Sequence, residues 1–195
     1  MRTHYKIFIG ALFVVFACAS AFAQGGQRET YTGTIISFGT GMSTRTTTAT
    51  FTLDLRGRTT DEQAARFLAV LAEGGQDTLL KELSDEDLGS FSVGGRLGRT
   101  INAVRVREVD GKIRVFAVFE RWIRFAELRG GYRSIDYPFG IIELFIDPKT
   151  GRGEGTFIAA AKVRWKRDSK DGEYHVEIEN FATFPARLMG VIKRK

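Results

Sequence analysis

Four residues alternate along one short stretch of the chain: Glu173, His175, Glu177 and Glu179. In an extended strand alternate side chains share a face, so these four project together while Tyr174, Val176 and Ile178 project from the other. Neighbours on one face lie roughly 6.5–7 Å apart, so Glu173, His175 and Glu177 could hold a metal ion only with help from an adjacent strand. The plainer expectation is a solvated face that backs onto an apolar one. His175 is the only histidine after the first 23 residues, and Cys18 is the only cysteine. A structural zinc site of four nitrogen or sulfur ligands therefore cannot be built there, and any Ser-His-Asp triad would have to use His175. Neither Gly-x-Ser-x-Gly nor Ser-x-x-Lys occurs. Gly39-Thr40-Gly41 and Gly94-Gly95-Arg96-Leu97-Gly98 share only glycine content with phosphate loops, lacking the lysine and the helix start. No metal and no cofactor are expected.

A pair of carboxylates is the other chemistry within reach. Glu143 lies among Ile141, Ile142, Leu144 and Phe145, and a carboxyl in apolar surroundings holds its proton more tightly, as a general acid must. Glu120, near Trp122, is its candidate partner for cofactor-free hydrolysis. The simpler alternative is that each points outward or pairs with an arginine such as Arg121 or Arg124. Two binding features are weaker. Thr30, Thr32 and Thr34 with Thr48, Thr50 and Thr52 would make a hydroxyl face fit for a polysaccharide, although threonine is equally a good former of solvated strands. Tyr132 and Tyr137, in the Arg129–Pro138 loop, could stack on a ligand or pack the loop onto a sheet.

The elements that position these residues are mostly strands. Glu29–Phe38 and Thr46–Arg56 alternate in polarity around the Gly39–Ser43 turn, with Phe51, Leu53 and Leu55 opposite the threonines. Between residues 60 and 88 the period changes. Thr60-x-x-Gln63 matches a capping box, Ala64, Phe67, Leu68 and Leu71 recur at helical spacing, and Gly74-Gly75 predicts a break before a second short helix carrying Leu79, Leu80 and Leu83. From Phe91 the chain reads as an antiparallel meander, with turns at Asp110-Gly111, Asp147–Gly151 and Asp171-Gly172. Val115–Phe119 is apolar on both faces, which predicts a central strand covered on both sides. The fold expected is mainly β: a curved sandwich or open barrel of about eight strands with a short helical insertion, in one domain over residues 24–195. An outer-membrane barrel is the rival, but the helical insertion, charges on both strand faces and the Lys193-Arg194-Lys195 terminus argue against it.

The first 23 residues read as an export signal: Arg2 and Lys6, an apolar run from Ile7 to about Ala17, then Ala21-Phe22-Ala23 before Gln24. That run is shorter than the ~20 residues that cross a bilayer. The alternative is a lipoprotein anchored at Cys18, which Ala17 before it favours and Phe16 disfavours. Cleavage after Ala23 leaves 172 of the 195 residues, with 12 of the 16 phenylalanines and no cysteine. The net charge of +6 falls to +4 without Arg2 and Lys6, and no basic helix or aromatic-basic motif suggests nucleic acid. A lipid or another component of the cell envelope is the partner expected.

The Thr60–Leu83 segment, with Gly74-Gly75-Gln76-Asp77, is similar to part of an uncharacterised family of exported bacterial proteins. So is the stretch from Arg124-Phe125-Ala126-Glu127-Leu128-Arg129 to Tyr137-Pro138-Phe139-Gly140. The resemblance covers most of the chain after residue 23 and implies export, but no activity. The function expected is therefore an exported, non-enzymatic β-domain that takes an apolar or envelope-associated ligand in the concavity of its sheet. The alternatives are the Glu143–Glu120 hydrolase and a structural or partner-binding envelope protein.

Overall fold

The computed structural model describes residues 28–39, 45–121, 125–131, 133–167, 174–181 and 184–194. The export signal, Cys18, Tyr132 and Glu173 lie outside these described residues. Ten strands make one antiparallel sheet: β1 (Glu29–Ser37), β2 (Thr47–Leu55), β3 (Gly89–Val93), β4 (Arg99–Thr100), β5 (Ala103–Val109), β6 (Lys112–Glu120), β7 (Phe139–Ile146), β8 (Arg152–Arg167), β9 (Tyr174–Asn180) and β10 (Ala186–Arg194). Their order is β4-β3-β2-β1-β10-β8-β7-β6-β5, with β9 continuing the line of β10 along β8. Two meanders, β1–β4 and β5–β8, are thus joined by β10. The sheet curls into a half-barrel, the curved or open-barrel form that the strand pattern predicts.

One short segment ties the ends of the curl together. Leu88 N–H donates to the Ile101 carbonyl at 2.8 Å and Ile101 N–H to Gly89 at 2.9 Å, beside β3. One residue later Asn102 N–H donates to Val118 on β6 at 2.9 Å. The buried Asn102 side chain completes the transfer, accepting from Glu120 N–H and donating to the Glu86 carbonyl, both at 3.0 Å. Both the oxygen and the nitrogen of that side-chain amide are thus bonded, as burial demands.

The β1–β2 hairpin follows its alternation. Phe51, Leu53 and Leu55 are buried and join Tyr31 and Ile35 inside the curl. Thr32 stands opposite Thr52 and Thr34 opposite Thr50 on the outer face. The Asp110-Gly111 turn joins β5 to β6, with both residues at positive φ (50° and 71°) as a two-residue hairpin requires.

Helix α1 (Asp61–Leu83) begins at the predicted capping box: Thr60 Oγ1 accepts from Gln63 N–H at 3.1 Å, and Gln63 Oε1 accepts from Thr60 N–H at 2.9 Å. The helix breaks at Gly75 (φ 72°, ψ −172°), as the Gly74-Gly75 pair predicts, and a second short helix follows directly across the kink. The kink keeps Phe67 and Leu71 on one side of it, and Leu79 and Leu83 on the other, against the same surface. That surface is the outer face of the sheet at Phe139, Ile141, Ala161 and Val163, with Phe116, Val118 and Trp165 packed around it.

There are therefore two cores. The inner one fills the curl with Tyr31, Phe51, Phe91, Ile101, Val104, Val115, Ala117, Phe119, Ile142, Leu144, Leu188 and Val191 among others. The outer one lies under α1. Val115, Ala117 and Phe119 enter the first, while Phe116 and Val118 meet the second, so β6 is covered on both faces as its apolar run predicts. It is not central, however. β6 is next to last in the sheet, and the helix supplies its second cover.

The tight side of the curl is made with glycine. Gly155 sits between Leu144 of β7 and Leu188 of β10, and Gly153 between Ile146 and Val191. All four of those side chains are essentially buried in the inner core. A Cβ on Gly155 would lie 2.0 Å from the Glu143 carbonyl oxygen, and one on Gly153 2.1 Å from that of Phe145. Where a sheet bends inward, its concave face runs out of room first, and here β8 gives up two side chains to let β7 and β10 converge.

Candidate functional site

The concavity that was expected to receive a ligand is occupied by the protein itself. Phe91 lies 5.1 Å from Phe157 and 5.7 Å from Phe119, ring centre to ring centre, and Phe51 lies 6.0 Å from Phe91. Inward-facing aromatics from four strands meet there, and phenylalanine is large enough for a handful of rings to fill a curl of this width.

The sequence-predicted residues fall at separate places. Glu143 on β7 stands opposite Phe116 and Glu120 on β6 opposite Phe139. These positions are four residues apart along the ladder, roughly 13 Å at strand rise, so the two carboxylates are not brought together. Glu143 instead accepts from Arg114 Nε at 2.6 Å, while Glu120 is exposed. Tyr137 is buried against Phe181, ring centres 5.1 Å apart, with Lys162 above its ring. Its hydroxyl donates to Glu179, and that hydrogen bond, with burial and the Glu179 charge, raises the phenol above its ordinary pKa. The loop is held down further by Arg121, which donates to the Ser134 and Tyr137 carbonyls at 2.6 Å and pairs with Glu127 at 2.8 Å, ahead of the short helix α2 (Phe125–Gly130).

His175 and Glu177 do share the predicted face of β9 with Glu179. Opposite them on β8 stand Lys166, Arg164 and Lys162. Lys166 Nζ pairs with Glu177 at 2.5 Å and Arg164 pairs with Glu179. The hydrogen bond from Lys166, helped by its charge and those of Arg164 and His175, holds the Glu177 carboxyl below its usual value. This is a solvated ladder of opposite charges. Among the described residues no three histidine, cysteine, aspartate or glutamate side chains converge as a metal site. Excess chelator is accordingly expected to leave the thermal midpoint unchanged, and His175→Ala to shift stability by no more than a surface substitution, about 0.5 kcal/mol. Thermal unfolding followed by circular dichroism checks both. A chelator-induced drop that His175→Ala abolishes would make this face a metal site instead.

Sequence reasoning missed two features because each is assembled from distant segments. The first is a charged cluster at one end of the curl. Glu29, 8% exposed, accepts from the Tyr31 hydroxyl at 3.0 Å, Arg58 at 3.0 Å and Lys193 at 2.8 Å. Burial opposes the Glu29 charge, but Lys193, Arg58 and Tyr31 together outweigh it and hold the carboxyl below its ordinary range. Burial and the same carboxylate push the Tyr31 hydroxyl well up. All its donors are engaged, so the cluster reads as a clasp of β1, β10 and the Arg58 segment.

The second is an open groove of about 520 Å³ on the outer face of the sheet, on the half that α1 leaves uncovered. Phe38, Gly39, Thr46, Thr156, Phe184, Pro185 and Arg187 line it. Phe38 and Phe184 are 39% and 64% exposed, which is unusual for rings facing one depression. The Arg187 guanidinium lies over the Phe38 ring at 6.0 Å, and among the described residues it has no acidic partner. An apolar body bearing one negative group is what these side chains can hold. The only early sign was that Phe38 adjoins the predicted Gly39–Ser43 turn, where a large apolar residue is not needed for packing. No known protein family, curated protein or solved structure matches the chain.

Proposed function

We propose that this chain is an exported binding module without catalytic chemistry. Its outer groove takes an apolar ligand of the cell envelope that carries an acidic group, a lipid-type amphiphile. The observation that carries the reading is the pairing of a filled interior with a groove whose two exposed phenylalanines flank an arginine that has no acidic partner among the described residues. Two rings offer the apolar contact, and Arg187 the fixed charge, that ligand sites combine. Export rests on the leader pattern and on the resemblance to exported bacterial proteins. The hydrolase alternative loses its geometric basis with the separation of Glu143 from Glu120. No helix among the described residues is long and apolar enough to cross a membrane.

Native and intact mass spectrometry of the full-length product, recovered from its own secretory host, tests both halves of the reading. The expected result is a chain beginning at Gln24 that retains a long-chain fatty acid or an acidic phospholipid, with Phe184→Ala and Arg187→Glu each lowering occupancy at least about tenfold, the worth of one lost ring contact in the first and of one lost charge-assisted contact in the second. A chain beginning at a diacylated Cys18 would make it an anchored lipoprotein. Occupancy that both substitutions leave intact would remove the groove from consideration.

A further inference from the structure

The outer face of β10 carries a lane of apolar side chains that leads away from the groove. Its outward-facing residues run Arg187, Met189, Ile192 and Arg194, the longer step being taken up by the irregularity at Gly190, whose φ is 59°. Met189 and Ile192 are 38% and 40% exposed, and they continue inward along the strand from the exposed rings of Phe38 and Phe184. None of these four side chains belongs to the core under α1. The shoulders of the lane are polar. On β1, Thr34 stands beside Met189 and Thr32 beside Ile192. On β8, Thr156 stands beside Arg187 and Arg152 beside Ile192, with the exposed Glu154 between them.

The dimensions of the lane fit one hydrocarbon chain. Neighbouring strands lie about 4.8 Å apart, so one apolar row between two polar rows is as wide as a single chain and too narrow for two abreast. From the level of Phe38 to that of Thr32, beside Ile192, is about 20 Å at strand rise. Charge sets the direction. The Arg187 guanidinium reaches over the Phe38 ring, which places a cation at the groove end and leaves apolar surface from there inward. Glu154 flanks the middle of the lane, where it would repel an acid. Arg194, at the far end, already donates to Thr32 Oγ1 at 3.2 Å.

We infer that the ligand of the groove is a single-chain fatty acid rather than a two-chain phospholipid, lying with its carboxylate on Arg187 and its tail along Met189 and Ile192. This rests on the groove reading proposed above and narrows it. The lane is open on one side, so a methylene laid on it leaves water over only about half its surface. A fully buried methylene is worth about fourfold in affinity, and one covered on a single face about twofold. Affinity therefore climbs with chain length until the tail passes Ile192, after which further carbons lie over Arg194 and gain nothing. A second chain on the same head has no second lane, because on either side it meets hydroxyls and charges.

Titration calorimetry of the delipidated full-length product with octanoate and tetradecanoate tests the lane apart from the groove. Tetradecanoate is expected to bind about fiftyfold more tightly, the worth of its extra methylenes on a one-sided surface. Ile192→Glu should lower the tetradecanoate affinity at least about tenfold and leave octanoate unchanged, whereas Arg187→Glu should weaken both. Ile192 is exposed, so the thermal midpoint should not move, and Ile192→Thr should act in the same direction without adding a charge. Dioctanoyl phosphatidic acid and its one-chain lyso form are expected to bind alike. Tetradecanoate binding that Arg187→Glu weakens and Ile192→Glu does not would overturn the lane and leave the groove standing. So would a two-chain form that binds tenfold tighter than the one-chain form. If neither fatty acid binds, or Arg187→Glu leaves both affinities untouched, the groove and the lane fall together.

Discussion

Gly155→Ala is expected to leave almost no folded protein. The added methyl would stand 2.0 Å from the Glu143 carbonyl oxygen and 2.9 Å from Leu144, at a site flanked by two fully buried leucines. A clash with the tip of a flexible side chain is relieved by a rotamer change, but this one is with backbone that is itself bonded into the β7–β8 ladder. Relief requires β7 to move away from β8, which opens the inner core along its length. The cost should exceed about 4 kcal/mol, the range reached only by severe core or backbone lesions, against a total of some 5–15 kcal/mol for a domain. Yield and urea unfolding of the variant measure it. A variant unfolding within about 1 kcal/mol of the parent would show that the strands have slack where the fold is described as tightest.

Phe119→Ala is expected to cost about 3–5 kcal/mol, the range for a buried phenylalanine truncated in a core that cannot collapse around the hole. Its ring is 4% exposed, stacks on Phe157 at 6.2 Å, meets Phe91 at 5.7 Å and covers Gly140 on the next strand, where a Cβ would lie within 2.2 Å of it. Removal therefore leaves an aromatic cluster short of one member and a glycine bare. Phe116→Ala, two turns of the pleat away and facing α1, should cost roughly half as much, because Phe116 is only partly buried and α1 can settle toward the gap. Equal losses in chemical denaturation would mean that the outer core is as unyielding as the inner one. Losses below about 1 kcal/mol for Phe119 would contradict the filled interior on which the groove reading depends.

How much of this could be read in advance follows the range of the interactions. Alternation of Phe51, Leu53 and Leu55 with threonine sets the inner and outer faces of β2, and Thr60 with Gln63 sets the start of α1, because both signals are carried by neighbours in sequence. The double-sided apolar run at Val115–Phe119 foretells two covers but not which layer supplies the second. Gly153 and Gly155, the second and fourth residues of β8, carry no sign in the sequence of the close approach they permit. Their meaning appears only when Leu144 and Leu188 close in from both sides. The groove was beyond reach for the same reason, since Phe38 and Arg187 are far apart in the chain and become neighbours only through the pairing of β1 with β10. At β9 the residues were right and the emphasis was not. The chemistry-bearing face, His175 and Glu177, is neutralised by β8, whereas the plain apolar alternates at Tyr174, Val176 and Ile178 are what remains exposed.

The pairing of β1 with β10 also governs when the molecule can exist at all. Thr30 is bonded beside Arg194 and Ile36 beside Arg187, so the first strand finds one of its two neighbours only after every other strand of the sheet has been made. Until then the β1–β4 and β5–β8 meanders have no strand between them, and the inner core lacks Leu188 and Val191. Closing so long a loop carries an entropic cost that nothing repays before β10 is in place, and topologies of this kind complete slowly. Such a chain remains an open string of hairpins until β10 arrives and becomes a half-barrel in one late step, a sequence of events that suits a protein proposed to cross a membrane before it folds.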